Sequence, residues 1–280
     1  MNTTTLSQKH LKAFEGFMLE RELSCRTRMQ YLRAVSRLLA QTNTAIPDRV
    51  AILTYKDELL NTYTVTSTNA IIAAWNLFFR FIKREDLCVR QYRIQRKIFC
   101  RSEEELSKAE YQRLVQAAEQ KRNKRLALIL ETLCASGIRV SELAAITVEA
   151  AREGFATISC KGKTRVIVIV KKLRNKLLCY AKARGIESGV IFRTHSGKAL
   201  DRSNIWREMK ALCHMAKVSP KKVFPHNLRH LFARLFYAVD KDISKLADIL
   251  GHSSINTTRI YIISSGKEHR RRMEQLHLIL

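Results

Sequence analysis

Phe155-Ala-Thr-Ile-Ser-Cys160-Lys161-Gly162-Lys163-Thr164-Arg165-Val-Ile-Val-Ile-Val170 holds two β-branched runs, Phe155 to Cys160 and Arg165 to Val170, joined by a basic turn. Residues that crowd a helix at χ1 pack well on a pleated surface, so the stretch predicts a β-hairpin with a basic tip at Lys161 to Thr164. Sequence on both sides of it reads as helix. The expected fold class is therefore mainly α with one small β-hairpin.

Upstream, apolar periodicity predicts four helices, Leu6 to Glu20, Arg26 to Gln41, Pro47 to Leu60 and Ser67 to Arg84, with Asp48 and Ser67 near helix starts. On the second, Arg26, Gln30, Arg33 and Arg37 share a stripe, expected to lie opposite Met29, Leu32 and Leu39. That stripe suits a row of phosphates, and a solvated face reads equally well for any one of its arginines. Arg90, Arg93, Arg96, Lys97 and Arg101 follow with no acidic residue among them, and Ser102-Glu-Glu-Glu105 opens what comes next. The expected organisation is a helical domain over 1–89, a basic linker over 90–104 and a second domain over 105–280.

Downstream of the hairpin, helices are expected from about Lys172, Ser203, Pro225, Asp242 and Ser254, each marked by a cap residue or a proline. The Ser203 helix carries an apolar stripe, Ile205, Met209, Leu212 and Ala216, beside a basic one, Arg207, Lys210, His214 and Lys217.

Composition narrows the function. Lys and Arg number 51 against 25 Asp and Glu, a formal charge of +26, and such an excess points to a polyanionic partner, nucleic acid above all. With 46% hydrophobic residues, nine glycines and three prolines, the chain is a packed, helix-rich protein and not a disordered basic tail. Seven scattered cysteines suggest reduced thiols and a cytoplasmic setting. The longest apolar run, Val166 to Val170, is too short to cross a bilayer, so no membrane role is expected.

Three further segments carry chemistry: Ala135-Ser-Gly-Ile-Arg139-Val-Ser-Glu142-Leu143, Pro225-His226-Asn-Leu-Arg229-His230, and Leu250-Gly-His252-Ser-Ser-Ile-Asn-Thr-Thr-Arg-Ile-Tyr261. Together with the hairpin lysine, their order of Arg, Lys, His-x-x-Arg, Gly-His and Tyr resembles the tyrosine recombinases, the family of Xer recombinases, phage and transposon integrases and Cre. The resemblance implies an N-terminal helical core-binding domain followed by a tyrosine-recombinase catalytic domain. It also implies strand cleavage and rejoining, with Tyr261 attacking to leave a 3′-phosphotyrosine that stores the energy of the broken bond, so that neither ATP nor a metal is needed.

Residue chemistry agrees with that set. Extra negative charge develops on the phosphate oxygens during attack, and Arg139 and Arg229 offer fixed, always-charged pairs of donors to receive it. The resemblance assigns His226 and His252 to the phosphate and to proton transfer, and Lys161 to protonation of the leaving 5′ oxygen. Lys163 competes for that last role, and the Lys-Gly order after the strand favours Lys161. His226 and His230 have the spacing of a zinc pair, yet Asn227 follows the first histidine and no third ligand is evident, so His230 reads as a buried structural residue. Glu142 reads as a group that orients Arg139. Departures from the family pattern are Cys160 before the lysine and Val148-Glu149 after the Arg139 segment.

Duplex DNA at a short core site is the expected partner, contacted by Arg26, Arg33, Arg37, Arg93, Arg96, Lys163, Arg207 and Lys210, with no small-molecule substrate or cofactor. Because the core-binding region comes first, no arm-binding domain is expected. After Tyr261, Met273, Leu276, His277 and Leu280 fall at helical spacing. In the family such a tail docks on a neighbouring subunit and links a ring of four; folding back on its own domain is the alternative. Type IB topoisomerase action and a catalytically silent DNA-binding protein are the competing functions; the N-terminal helical domain speaks against the first and the complete set of six residues against the second.

Overall fold

The computed structural model describes residues 8–41, 47–94, 105–160, 163–194, 197–198, 200–262 and 274–275. The chain forms two compact units, residues 1–96 and 97–280.

The first unit contains α1 (Gln8–Glu20), α2 (Cys25–Gln41), α3 (Arg49–Thr62) and α4 (Val65–Phe81), closed by a 3-10 turn at Glu85–Leu87. Phe14, Val35, Leu38, Ile52, Trp75 and Phe78 form its core, and the Trp75 indole donates to the Ala34 carbonyl at 3.1 Å, satisfying its one buried polar group. Asp48 caps α3 as expected. For α4 the cap is Thr64, which accepts from the Ser67 amide, so Ser67 sits inside the helix and not at its start. Asn69 and Asn76, seven apart and hence on one face of α4, each exchange two hydrogen bonds with the backbone of Tyr92 and Val89, so the chain leaving this unit is pinned along the helix.

On α2 the buried residues are Ala34, Val35, Leu38 and Leu39, and Met29 is 48% exposed. The expected apolar stripe through Met29 is corrected accordingly: the core face is rotated toward Ala34 and Val35. Arg26, Arg33 and Arg37 remain exposed.

The second unit is built around α6 (Lys124–Ser136), nine of whose thirteen residues are buried. Against it pack α5 (Lys108–Gln120), opened by a Ser107–Glu110 capping box, and α8 (Lys171–Ala183), α9 (Arg202–Lys210) and α11 (Pro225–Asp240). A 3-10 turn at Val140–Ala145 follows Arg139 and leads to α7 (Val148–Glu153). The hairpin pairs β1 (Phe155–Cys160) with β2 (Lys163–Val168), in register from Phe155 opposite Val168 to Cys160 opposite Lys163. β2 thus begins two residues earlier than expected and ends two earlier. Ala156, Ile158, Ile167 and Ile169 turn inward while Phe155, Val166 and Val168 face solvent.

The Ser203 helix is two helices, α9 and α10 (Cys213–Ala216), with Lys217 at a positive φ of 51° closing the second. Its expected apolar stripe, Ile205, Met209, Leu212 and Ala216, is buried throughout. α12 (Ile243–Leu250), capped by Asp242, and α13 (Ile255–Ile262) complete the unit. No described helix is long and apolar enough to cross a membrane. The sequence signals at Lys161, Gly162 and Arg96, and those of the tail at Met273, Leu276, His277 and Leu280, lie outside the described residues.

Candidate active site

Four local devices deliver the side chains. Gly137, in the left-handed conformation at φ 63°, ends α6 and turns the chain so that Arg139 precedes the 3-10 turn. Pro225 opens α11 and places His226 and Arg229 on one face, three residues apart. Gly251, at φ 64°, ends α12 and presents His252. α13 then carries Thr258 and Tyr261, again three apart.

Arg229 is 1% exposed. Its Nη1 donates to the Gly137 carbonyl at 2.6 Å, and its Nη2 to the Leu250 carbonyl at 2.5 Å and to His252 Nε2 at 2.9 Å. Guanidinium only donates, so Nε2 of His252 accepts and its proton sits on Nδ1, which donates to the Thr258 hydroxyl at 2.9 Å. Thr258 is fully buried, so this contact fixes the imidazole tautomer from behind. Among the described residues no carboxylate reaches Arg229, and its Nε is buried without a partner. Burial and the neighbouring Arg139 push its pKa down to about 10. A positive charge held this way favours an anion beside it.

Tyr261 is 5% exposed, and its hydroxyl meets His226 Nε2 at 3.2 Å. Its ring lies against those of His230 and His252, with centroids 4.1 and 5.2 Å away. Desolvation, with Arg229 and Arg139 nearby, lowers the His226 pKa below the usual imidazole range. Desolvation first, then His226, Arg234 and Arg229 around His230, and Arg229, Arg139 and Arg165 around His252, push both down to about 4. All three rings are neutral near pH 7. His230 is half-buried and packs between His226 and Tyr261, which fits a structural part.

Arg139 donates from its backbone N to Glu142 Oε2 at 2.8 Å and from Nη1 to Oε1 at 2.9 Å, so Glu142 orients it as expected. Burial opposes ionisation of Glu142, but the hydrogen bonds from Arg139 and the charge of Arg165 hold its pKa below the ordinary carboxylate value. A cavity of about 600 Å³ is lined by Arg139, His226 and Arg229 together with Arg202, Ser203 and Trp206 of α9.

Five of the six expected catalytic residues therefore lie in one connected neighbourhood: Arg139, His226, Arg229, His252 and Tyr261. Lys161 lies outside the described residues, and of Lys163 only the backbone, at the start of β2, is described. Among the expected DNA contacts, Arg37 donates to the Tyr63 hydroxyl at 2.7 Å, Arg93 and Arg207 are exposed, and Lys210 donates to the Pro220 carbonyl while lying over the Trp206 ring. Among the described residues no cluster of His, Cys, Asp or Glu is arranged to hold a metal. Two residues of the neighbourhood were not singled out by motif, Arg165 and Thr258. Neither carries a signal in the sequence: both parities of the strand after Arg165 are apolar, and only the structure shows that Arg165 shares the inward face with Ile167 and Ile169.

The phage integrase family model matches residues 104–268. Tyrosine recombinase XerA of Thermococcus kodakarensis is 30% identical over 228 residues, covering 78% of each chain. Tyrosine recombinase XerD of Pseudomonas putida is 28% identical over 283 residues, covering 94% of this chain and 93% of its own. In fold, a lambda integrase tetramer solved on a Holliday junction is similar with a TM-score of 0.72 at 19% identity, covering 91% of this chain and 76% of that one.

Proposed function

Since the chain belongs to the phage integrase family and is a tyrosine recombinase, an enzyme that cuts and rejoins DNA strands, we propose that Tyr261 is its nucleophile and that Arg139, Arg229, His226, His252 and Lys161 serve the same phosphate. The observation that carries this reading is the Tyr261 hydroxyl resting on a neutral His226 beside a buried guanidinium that no described carboxylate neutralises.

The Tyr261 oxygen attacks phosphorus as His226 Nε2 takes the phenolic proton, which a neutral imidazole accepts and a charged one does not. Arg139 and Arg229 receive the charge that builds on the non-bridging oxygens, with His252 steadied by Thr258 alongside. The bond from phosphorus to the 5′ oxygen breaks, Lys161 protonates that oxygen, and the strand is left on the enzyme as a 3′-phosphotyrosine. Attack by the 5′ hydroxyl of a partner strand runs the same steps backwards and frees the tyrosine, so no ATP or metal enters. Tyr261 is buried in the free chain, and α13 shifts to let the scissile phosphate approach.

The exposed arginines of α2, Arg26, Arg33 and Arg37, with Arg93, Arg96, Lys163, Arg207 and Lys210, contact the duplex. The enzyme works as a tetramer on two duplexes, joined through residues after Tyr261, an assembly for which the lambda integrase tetramer on a Holliday junction is the fold precedent. A nicked suicide duplex carrying the recombination site tests the chemistry: wild type traps a covalent adduct and Tyr261→Phe traps none. An equal adduct in the variant moves the nucleophile elsewhere.

A further inference from the structure

We propose that Arg165 is a positioning residue that locks Arg139 and His252 into one site; this rests on the reading of the cluster around Tyr261 as the catalytic centre. Arg165 stands on β2 opposite Ile158, in the alternation that sends Ile167 and Ile169 into the core. An arginine at an inward strand position is costly unless its donors are met. Both arms of its fork are met, and by two different catalytic segments. Nη2 donates to Glu142 Oε2 at 2.5 Å, and the same carboxylate holds Arg139. Nη1 donates to the Ile249 carbonyl at 2.7 Å, three residues before His252.

Gly251 adds a steric observation. A Cβ there would lie 2.5 Å from Arg165 Cδ, so the residue before His252 is kept small by the arginine stem as well as by its positive φ. Glu142 carries one negative charge between two guanidinium groups, whose side chains are 39% exposed for Arg139 and 12% for Arg165. Only the first lines the cavity beside His226 and Arg229. Arg139 thus faces the phosphate while Arg165 stays behind, sets the angle of the carboxylate and ties it to the end of α12. Lysine keeps the charge but has one nitrogen at the end of a flexible stem, and it cannot hold both acceptors in a fixed fork.

The experiment compares wild type, Arg165→Lys and Gly251→Ala in single-turnover adduct formation on a nicked duplex, once with the natural 5′ oxygen and once with a bridging 5′ sulfur, a leaving group that needs no proton. A misplacement of this kind lowers the rate on the order of 100-fold, and the expected result is that loss in both variants, with duplex binding held near wild type and no recovery on the sulfur substrate. Wild-type rates in Arg165→Lys overturn the proposal. Full recovery on sulfur also overturns it, by placing the effect on the proton donor. Imidazole nitrogen shifts of His252 in the free proteins provide a readout that needs no reaction: Arg165→Lys moves them while the melting temperature changes by a few degrees, and unmoved shifts overturn the proposal. If wild type itself forms no adduct, the functional reading fails and the His252 shifts still decide whether Arg165 holds that segment. Should Arg165→Lys not fold, Gly251→Ala displaces the arginine without removing it and is judged by the same two measurements.

Discussion

The hydroxyl of Tyr261 and Nε2 of His226 stand 3.2 Å apart, on helices α13 and α11, and the imidazole is held neutral by desolvation and by Arg229 and Arg139. Neutrality is the working state of a base, so its depressed pKa keeps His226 ready below the pH at which a free imidazole, with a pKa of about 6.5, would be half charged. The acid limb of single-turnover cleavage is therefore expected to lie below that of a free imidazole. His226→Asn lowers the plateau by about 100- to 10,000-fold, the usual contribution of a positioned base. An acid limb already present near neutral pH, or the same limb retained in His226→Asn, removes His226 from the proton transfer.

Gly137 links stability to the site. Its φ is 63°, an added Cβ would sit 2.4 Å from the Phe232 ring, and its carbonyl accepts from Arg229. Gly137→Ala combines a left-handed penalty of about 1–2 kcal/mol with overpacking of about 1–3 kcal/mol. Denaturant melts should show a loss of that combined size, accompanied by slower adduct formation because the backbone carbonyl that holds Arg229 is displaced. Loss of stability with cleavage untouched would separate the Gly137 carbonyl from the function of Arg229.

His230 and His252 give the folded unit a specific acid sensitivity. Both have pKa values pushed down to about 4, burial being the main cause. Between about pH 6.5 and pH 4 the unfolded chain binds protons at these rings that the folded chain does not, so stability is full above that window and falls as pH drops through it. His230→Phe keeps a ring against Tyr261 and removes one of the two titrations. Its melting temperature should fall less steeply than wild type over the same window. Parallel slopes for the two proteins would show that His230 is not the group responsible.

The hairpin and several helix starts are legible in the sequence because each is marked by a residue type whose chemistry is local, whereas the five side chains that meet around Arg229 are legible only through the ordered motifs that resemble the tyrosine recombinases. Pro225, Asp48 and Asp242 mark helix starts through backbone hydrogen bonding that depends on their own neighbourhood. Met29 shows where that fails. On α2 the apolar residues spread over more than one face, and which face is buried depends on how α4 and α1 pack there, information that no window of α2 contains. Thr258 is not legible for a similar reason, because a threonine six residues after His252 acquires its role only when α13 folds back against it. Arg165 is a further case: both parities of its strand are apolar, and its two acceptors, Glu142 and Ile249, lie 23 and 84 residues away.

The last prediction concerns the charge. A formal +26, with Arg26, Arg33 and Arg37 exposed along α2, makes duplex binding a counterion-release process. If about 6–10 phosphates are neutralised, the affinity falls by several powers of ten for each tenfold rise in salt, with a log–log slope near −0.9 for every phosphate contacted. Replacing any one of these arginines by alanine should reduce that slope by about one contact and weaken binding similarly on specific and random sequence. Arg37 is the more informative choice, because it also donates to the Tyr63 hydroxyl. Arg37→Lys keeps the charge and gives up the guanidinium geometry, so a phosphate contact predicts an almost unchanged slope in the lysine variant and a shallower one in Arg37→Ala. Equal slopes for wild type, Arg37→Lys and Arg37→Ala, measured by fluorescence anisotropy from low to high salt, would place Arg37 off the DNA path and leave its hydrogen bond to Tyr63 as its only role.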